Sequence, residues 1–426
     1  MLEKLKGKRL LILGGIKSMI EVVNIAHRYG IYVLVTDYLE DSPAKKVADA
    51  SFMVNAIDTD AVANLCKEQK VDGILTGHVD MLLPYYAEIC EKTGLPCYGT
   101  GDLFKSMTDK VEFKNICLAN GVPTIPEYKY EDIEKIKYPV LIKPADSSGS
   151  RGITICNNND ELKAGIEKAL SFSKKGEYLI EKYMTGEEIV MYYYFQDGNP
   201  IFMGMCDRYV NKEQKGVAQV STAYVFPSKY TSNHLKFTNQ KYLNMLKKIG
   251  VPNGTMFLQG FADENSLPCV YEPGYRLNGA REQYIYSETT GIHATELLIN
   301  FALTGKMADY DINSKADPYM NGKYGCMLST ILNEGRIARI EGVEKAKKTS
   351  GLKKLVLINE ENDTITSKSL GTLAQIGYRA YIVADTVTEL KKYVDEVLET
   401  IIYYNENNES MMLEPFDSNE LLKNYM

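Results

Sequence analysis

Tyr138-Pro-Val-Leu-Ile-Lys-Pro-Ala-Asp-Ser-Ser-Gly-Ser-Arg-Gly152 is the stretch from which the rest of the chain is read. A short apolar run ends in Lys143, and a loop of small and hydroxyl residues follows it up to Gly152. Gly149 and Gly152 tolerate positive φ and carry no side chain, so backbone N–H groups there can turn inward on one centre. The hydroxyls of Ser148 and Ser150 add donors, and Lys143 and Arg151 add positive charge. Convergent donors and cations suit a polyphosphate. The same composition also suits a solvated Gly/Ser hairpin, so the loop alone leaves both readings open. It is not a Walker loop, because no G-x-x-x-x-G-K-[ST] occurs and the lysine precedes the glycines.

Bulk properties narrow the classes. A chain of 426 residues has room for two or three domains with sizeable cores. The net charge of −7 argues against a general nucleic-acid binder, which carries a basic excess. No apolar run is long enough to span a bilayer. The start, Met-Leu-Glu-Lys-Leu-Lys, runs into an apolar strand without a signal-peptide pattern. The eight cysteines are scattered and lack C-x-x-C spacing, so buried, reduced thiols in a cytoplasmic protein are expected. Four histidines and no Cys/His cluster argue against structural zinc.

Residues 9–13 form an apolar run closed by Gly14-Gly15, an amphipathic helix follows, and residues 31–35 form a second run closed by Thr36-Asp37. This is a β-α-β unit. It has the outline of a dinucleotide fold, but its G-x-G-x-x-G fingerprint is incomplete, which leaves an NAD(P)-linked oxidoreductase as a minor alternative. Further strands and helices give a parallel sheet of four or five strands over residues 1–98. His78 lies just past the strand at 73–76, at the end where open α/β sheets place ligands; it is a substrate-pocket candidate or simply a cap.

Residues 108–121 read as a helix capped by Thr108 or Asp109 and ended by Gly121. Lys110 in its first turn is unfavourable against the helix dipole unless an anion is near. Residues 188–195 and 200–209 read as a hairpin around Asp197-Gly198-Asn199. Two apolar runs flank the polar turn 263–266. If they pair, Gln259 and Glu272 stand nearly opposite on one face and can offer two oxygens to one cation. A salt bridge is the competing role for Glu272, an acid in an otherwise apolar strand. Arg276 and Arg281 follow, placed to clamp an anion. The C-terminal hundred residues carry strands near 335–342 and 354–358 and a helix over about 386–404, and the polar tail beyond 405 is expected to fray.

Taken together, Asp109-Lys110, the strand lysine Lys143 with Ser-Gly-Ser-Arg-Gly, Ile180-Glu-Lys-Tyr-Met with Gly186-x-Glu188, and Glu272-x-x-x-Arg276 resemble the ATP-grasp superfamily of carboxylate–amine ligases over nearly the whole chain. Enzymes of this plan include phosphoribosylglycinamide synthetases, biotin carboxylases, the large chain of carbamoyl phosphate synthases and amino-acid ligases. The resemblance implies an α/β protein with an α+β core: an N-terminal parallel-sheet domain at 1–98, a two-part ATP-grasp core at 99–325 with a small lid about 115–182, and a small C-terminal α/β domain at 326–426. It implies ATP and Mg2+ as cofactors. Lys110 and Lys143 would contact phosphates, with Ser148, Gly149, Ser150, Arg151 and Gly152 closing over them. Glu181 and the backbone near Lys182 and Met184 would hold adenine, and Glu188 the ribose. Glu272 and Gln259 would hold the metal, and Arg276 would steady the transferred phosphoryl group. His78, Arg281 and His293 are the substrate-pocket candidates.

The implied reaction activates a small carboxylate as an acyl phosphate and joins it to an amine, with ADP released. The partners implied are small molecules, without nucleic acid or membrane, and a homodimer is compatible with the plan. One departure stands out. The family pattern is E-x-N-x-R with a second acid upstream, whereas this chain has Gln259 for the first acid and Gly274 for the asparagine. The thinner site gives weight to an alternative, a weak or inactive ATP-binding regulatory module.

Overall fold

The computed structural model describes residues 2–146, 152–210 and 220–425. The N-terminal part is the expected β-α-β array. Strands β1 (Arg9–Leu13), β2 (Tyr32–Thr36), β3 (Ala50–Phe52) and β4 (Gly73–Leu75) form a parallel sheet in the order β3-β2-β1-β4. The central strands β1 and β2 are buried along almost their whole length, which explains their unbroken apolar runs.

The incomplete glycine fingerprint has a structural counterpart. The Asp37 carboxylate folds back to accept the Gly15 N–H (2.6 Å) and the Leu39 N–H (2.8 Å). A Cβ at Gly15 would lie 2.5 Å from that of Ser42. The loop amide and the acid that a dinucleotide would require are spent on each other.

A small antiparallel sheet follows, made of β5 (Glu127–Tyr128), β6 (Val140–Pro144), β7 (Thr154–Cys156) and β8 (Tyr178–Lys182) in the order β5-β8-β6-β7. The helix Asn159–Phe172, capped by the Asn158 side chain, packs on it around a separate small core of Val140, Ile142, Leu162 and Ile180.

The second half of the chain is organised by one eight-stranded antiparallel sheet. It contains β9 (Glu188–Gln196), β10 (Asn199–Val210), β11 (Ser221–Phe226), β12 (Gly254–Ala262), β13 (Pro268–Gly274) and β14 (Tyr324–Ile331) in the order β13-β12-β9-β10-β11-β14, and then Ile376–Ala384 and Leu352–Leu357 at the far edge. The hairpin at 197–199 forms as expected, with Asp197 (φ 51°) and Gly198 (φ 78°) in the left-handed region. Residue 326, the expected start of the C-terminal domain, falls inside β14, so the sheet runs unbroken across it.

Two C-terminal expectations are corrected. The helix stops at Thr400 (Val387–Thr400), and Ile402–Tyr404 is a short strand paired with Arg339–Glu341. The tail does not fray. Met411, Phe416 and Leu421 are buried, and the last helix, Asn419–Tyr425, packs against Val387–Thr400. Those apolar residues, spaced through a polar segment, were the overlooked signal.

The tyrosine-rich, tryptophan-free composition also finds a reason. Tyr86, Tyr98, Tyr192, Tyr193, Tyr194, Tyr275 and Tyr286 are fully buried and fill the core with large rings. Several hydroxyls reach partners, as where Tyr275 donates to the Tyr98 carbonyl at 2.7 Å. Among the described residues no helix is long and apolar enough to cross a membrane.

Candidate active site in the interdomain cleft

Strand pairing builds the nucleotide end. Lys143 on β6 pairs with Leu179, and Leu141 pairs with Glu181, so Lys143 and Glu181 are diagonal neighbours on one face. Their ion pair is 2.6 Å long and almost wholly buried. Lys114 reaches the other Glu181 oxygen at 3.0 Å and Glu127 at 2.8 Å. Glu127 is the cross-strand partner of Glu181 on β5. Burial pushes the Glu181 carboxyl up, but Lys143 and Lys114 outweigh it and hold the group below the usual glutamate range.

The helix Lys110–Ala119 brings Lys110 to the same place. Asp109 caps it, accepting the N–H groups of Val111 and Glu112 at 3.0 Å each. Burial pulls the Lys110 ammonium below the usual lysine range, opposed by Glu272, whose Oε1 lies 3.9 Å away.

Of the remaining nucleotide candidates, Lys182 donates its N–H to the Pro126 carbonyl at 2.9 Å. Met184 lies in the linker that joins the small sheet to β9. Glu188 is ion-paired with Arg208, its cross-strand partner on β10. Gly152 has φ 77° and is packed between Phe172 and Pro144, where a Cβ would lie 2.8 Å from each. Ser148, Gly149, Ser150 and Arg151 lie outside the described residues.

At the centre of the cleft the hairpin register agrees with the sequence reading. Gln259 and Glu272 are direct partners, next to a bulge at Gly260. Both line a cavity of about 1360 Å³ together with Lys110, Arg208 and Arg276. Two oxygen donors side by side suit a hard cation that keeps waters and phosphate oxygens as its other ligands. Among the described residues no three His, Cys, Asp or Glu converge. Gly274 offers no side chain, and a larger residue there would have to displace the Phe257 ring, because a Cβ would lie 2.1 Å from it. Asn278 is committed elsewhere: its Oδ1 accepts the Ala280 N–H (3.0 Å) and its Nδ2 donates to the Tyr192 hydroxyl (3.3 Å).

The third region is basic. The Arg276 guanidinium lies over the Phe257 ring (5.1 Å) and pairs with Asp80 at 2.5 Å. Arg281, in the left-handed region at φ 60°, pairs with Glu21 at 3.2 Å. His78 lines the same cavity. Burial first, then Arg281 and Arg276, push its imidazole down to about 3, so it is neutral at physiological pH. His293 is not brought to the cleft. It stands at the N-terminus of the helix Ala294–Thr304, edge-on to Tyr284 at 5.9 Å.

Sequence reasoning missed three residues here. Lys114 lies one helical turn beyond Lys110, a spacing that could have revealed it. Arg208 is a cation in an apolar strand, which is also a readable signal. Arg379 reaches the cleft only through long-range packing, whereas Asp80 stands with His78 past β4, at the end the sequence already marks for ligands.

A family profile for the ATP-grasp domain matches residues 136–271. The 2-oxoglutarate carboxylase small subunit of Hydrogenobacter thermophilus is 26% identical over 341 residues, covering 74% of this chain and 70% of the relative. Three other curated relatives are matched over about half of their own length or less. The crystal structure of an L-amino acid ligase from Bacillus licheniformis superposes with a TM-score of 0.76 at 18% identity, over 94% of this chain and 100% of that one. The biotin carboxylase domain dimer of the Hydrogenobacter 2-oxoglutarate carboxylase, in complex with MgADP, ADP and bicarbonate, superposes with a TM-score of 0.75 at 19% identity, over 95% and 91%. ATP and Mg2+ are the usual cofactors of such enzymes. Residues 136–271 of this chain thus match the ATP-grasp domain, and the proteins it resembles in sequence and in structure include ligases.

Proposed function

We propose that the protein is an ATP- and Mg2+-dependent, ADP-forming ligase that activates a small carboxylate as an acyl phosphate and joins it to an amine. The observation that carries this reading is the meeting of Lys110, Glu272, Gln259 and Arg276 on one cavity, with Lys143 buried behind Lys110. Phosphoryl transfer needs positive charge and positioned donors around the γ-phosphate oxygens, and it needs no protein nucleophile.

In this reading Lys110 and Lys143 neutralise phosphate charge as it shifts toward ADP. Arg276, held by Asp80 and by the Phe257 ring, faces the transferred group. Mg2+, when bound through Glu272 and Gln259, supplies further charge neutralisation at the β- and γ-phosphates. A carboxylate oxygen attacks the γ-phosphorus and the bond to the ADP oxygen breaks. The amine nitrogen then attacks the acyl carbon, inorganic phosphate leaves, and the nitrogen gives up a proton. We assign the protein to the cytoplasm, a placement supported by its eight free cysteines, seven of them buried. A homodimer belongs to the same reading, supported by the relative described as a dimer, and sedimentation would test it.

The direct test is ADP release from Mg-ATP against pools of amino acids, small carboxylates and amines. Substrate-dependent ADP formation that falls about a hundredfold or more in Lys143→Ala is the expected result. An unchanged rate in that variant would overturn the phosphate-site assignment. A second reading, an ATP-binding module without turnover, is favoured by the uncharged Gln259 and by the steric block at Gly274. Tight ATP binding without ADP release on any pool, and turnover appearing in Gln259→Glu, would support it.

A further inference from the structure

Four buried polar atoms that have no hydrogen-bond partner among the described residues belong to side chains lining one cavity: Ser18 Oγ, His78 Nδ1, Arg276 Nε and Arg379 Nε. They come from the segments that follow β1 and β4, from the segment after β13 and from the strand Ile376–Ala384. Ser18, Arg276 and Arg379 carry donors at these atoms, and the neutral His78 donates through Nδ1 in one of its two tautomers; buried donors without an acceptor are costly, so their convergence points to an acceptor group supplied by a ligand.

The charges identify that group. Arg276 is balanced by Asp80 and Arg281 by Glu21. Arg379 is 6% exposed, and its Nη1 donates to the Gly279 carbonyl, but among the described residues no carboxylate is in ion-pair contact with it. His78, neutral among these arginines, adds a hydrogen bond and no charge. One buried positive charge is therefore left over, and a buried cation without a counter-charge is unfavourable. One negative charge balances it, which fits a carboxylate better than a phosphate dianion.

We propose that Arg379, with Ser18 and His78, forms a subsite for a single carboxylate group of the ligase's substrate, so that the C-terminal strand takes part in substrate binding. Calling the ligand a substrate rests on the ligase reading, whereas the binding itself does not, and the test is run without nucleotide to keep the two apart.

The experiment is a ligand-observed NMR titration of the full chain with propionate, L-alanine, glycerol phosphate and propanamide, the uncharged isostere of propionate. Propionate or L-alanine should bind and propanamide should not. Arg379→Met should weaken carboxylate binding about tenfold or more, with Arg379→Lys falling between it and wild type. Ser18→Ala, which leaves the charges in place, should weaken it less, and it keeps the test valid if Arg379→Met does not fold. Equal binding of propanamide, unchanged binding in both Arg379→Lys and Ser18→Ala, or no binding of either carboxylate overturns the subsite. Tighter binding of glycerol phosphate than of both carboxylates overturns the carboxylate assignment in favour of a phosphate. The ligase reading fails separately, by absence of ADP release, whatever these titrations give.

Discussion

The Lys143 ammonium lies 2.6 Å from one oxygen of Glu181 while Lys114 holds the other at 3.0 Å, so a single buried carboxylate serves two lysines. Glu181 supplies the negative charge that the buried Lys143 would otherwise lack. Glu181→Gln should lower stability by about 3 kcal/mol, since removing one partner of a buried pair strands the other. Saturating Mg-ADP should narrow the difference, because the nucleotide brings negative charge to the same lysines. Thermal unfolding of both proteins with and without Mg-ADP checks this, and equal melting points without nucleotide would refute it. The folded protein holds the Glu181 proton less tightly than the unfolded chain does. Its contribution is therefore present at neutral pH and is lost as pH falls below the usual glutamate range.

Asp207 behaves in the opposite sense. It is buried beside Arg208, accepts the Ser228 hydroxyl at 2.5 Å, and takes a hydrogen bond from Tyr425 in the last helix. Burial pushes its carboxyl up to about 6. The folded state binds this proton more tightly than the unfolded chain, so the resulting stabilisation is full below about pH 4 and disappears as pH rises through about 6. Relative to Asp207→Asn, the wild type should lose about 2–3 kcal/mol of stability between pH 4 and 7. Urea unfolding across that range measures it, and parallel curves for the two proteins would exclude it.

Gln259→Glu places a second negative charge opposite Glu272, at a directly paired position. The Mg2+ concentration needed for half-maximal nucleotide binding should fall several-fold, since carboxylates bind this ion more strongly than an amide oxygen. A Mg2+ titration of ADP binding reads the shift. No change would mean that position 259 does not face the ion.

Gly274→Asn should cost about 1–3 kcal/mol or more through overpacking, because the new Cβ meets the Phe257 ring. Adding Phe257→Leu should recover a large part of that loss. Chemical denaturation of the single and double variants gives the comparison, and a well-tolerated single variant would contradict it.

Local chemistry explains which parts of this site could be read in the sequence. The facing of Gln259 and Glu272 follows from two alternating runs and a short polar turn, all within twenty residues. Lys110 was legible because Asp109 starts its helix with a side-chain cap. The Arg276–Asp80 pair joins residues 196 apart in sequence, and Arg379 reaches the Gly279 carbonyl from 100 residues away. No local periodicity encodes such meetings, because they depend on how three layers dock. The buried tail was misread because its composition is polar, while its packing rests on a few apolar residues, Met411, Phe416 and Leu421.

The contact between Phe257 and the place a Cβ would take at Gly274 also limits which substitutions this chain can accept singly. An asparagine gained at position 274 while Phe257 remains passes through a clashing intermediate, and a smaller residue at 257 gained first removes the ring beneath Arg276. The two positions are thus epistatic. An asparagine at position 274 is therefore reached, one substitution at a time, only through one of two impaired proteins.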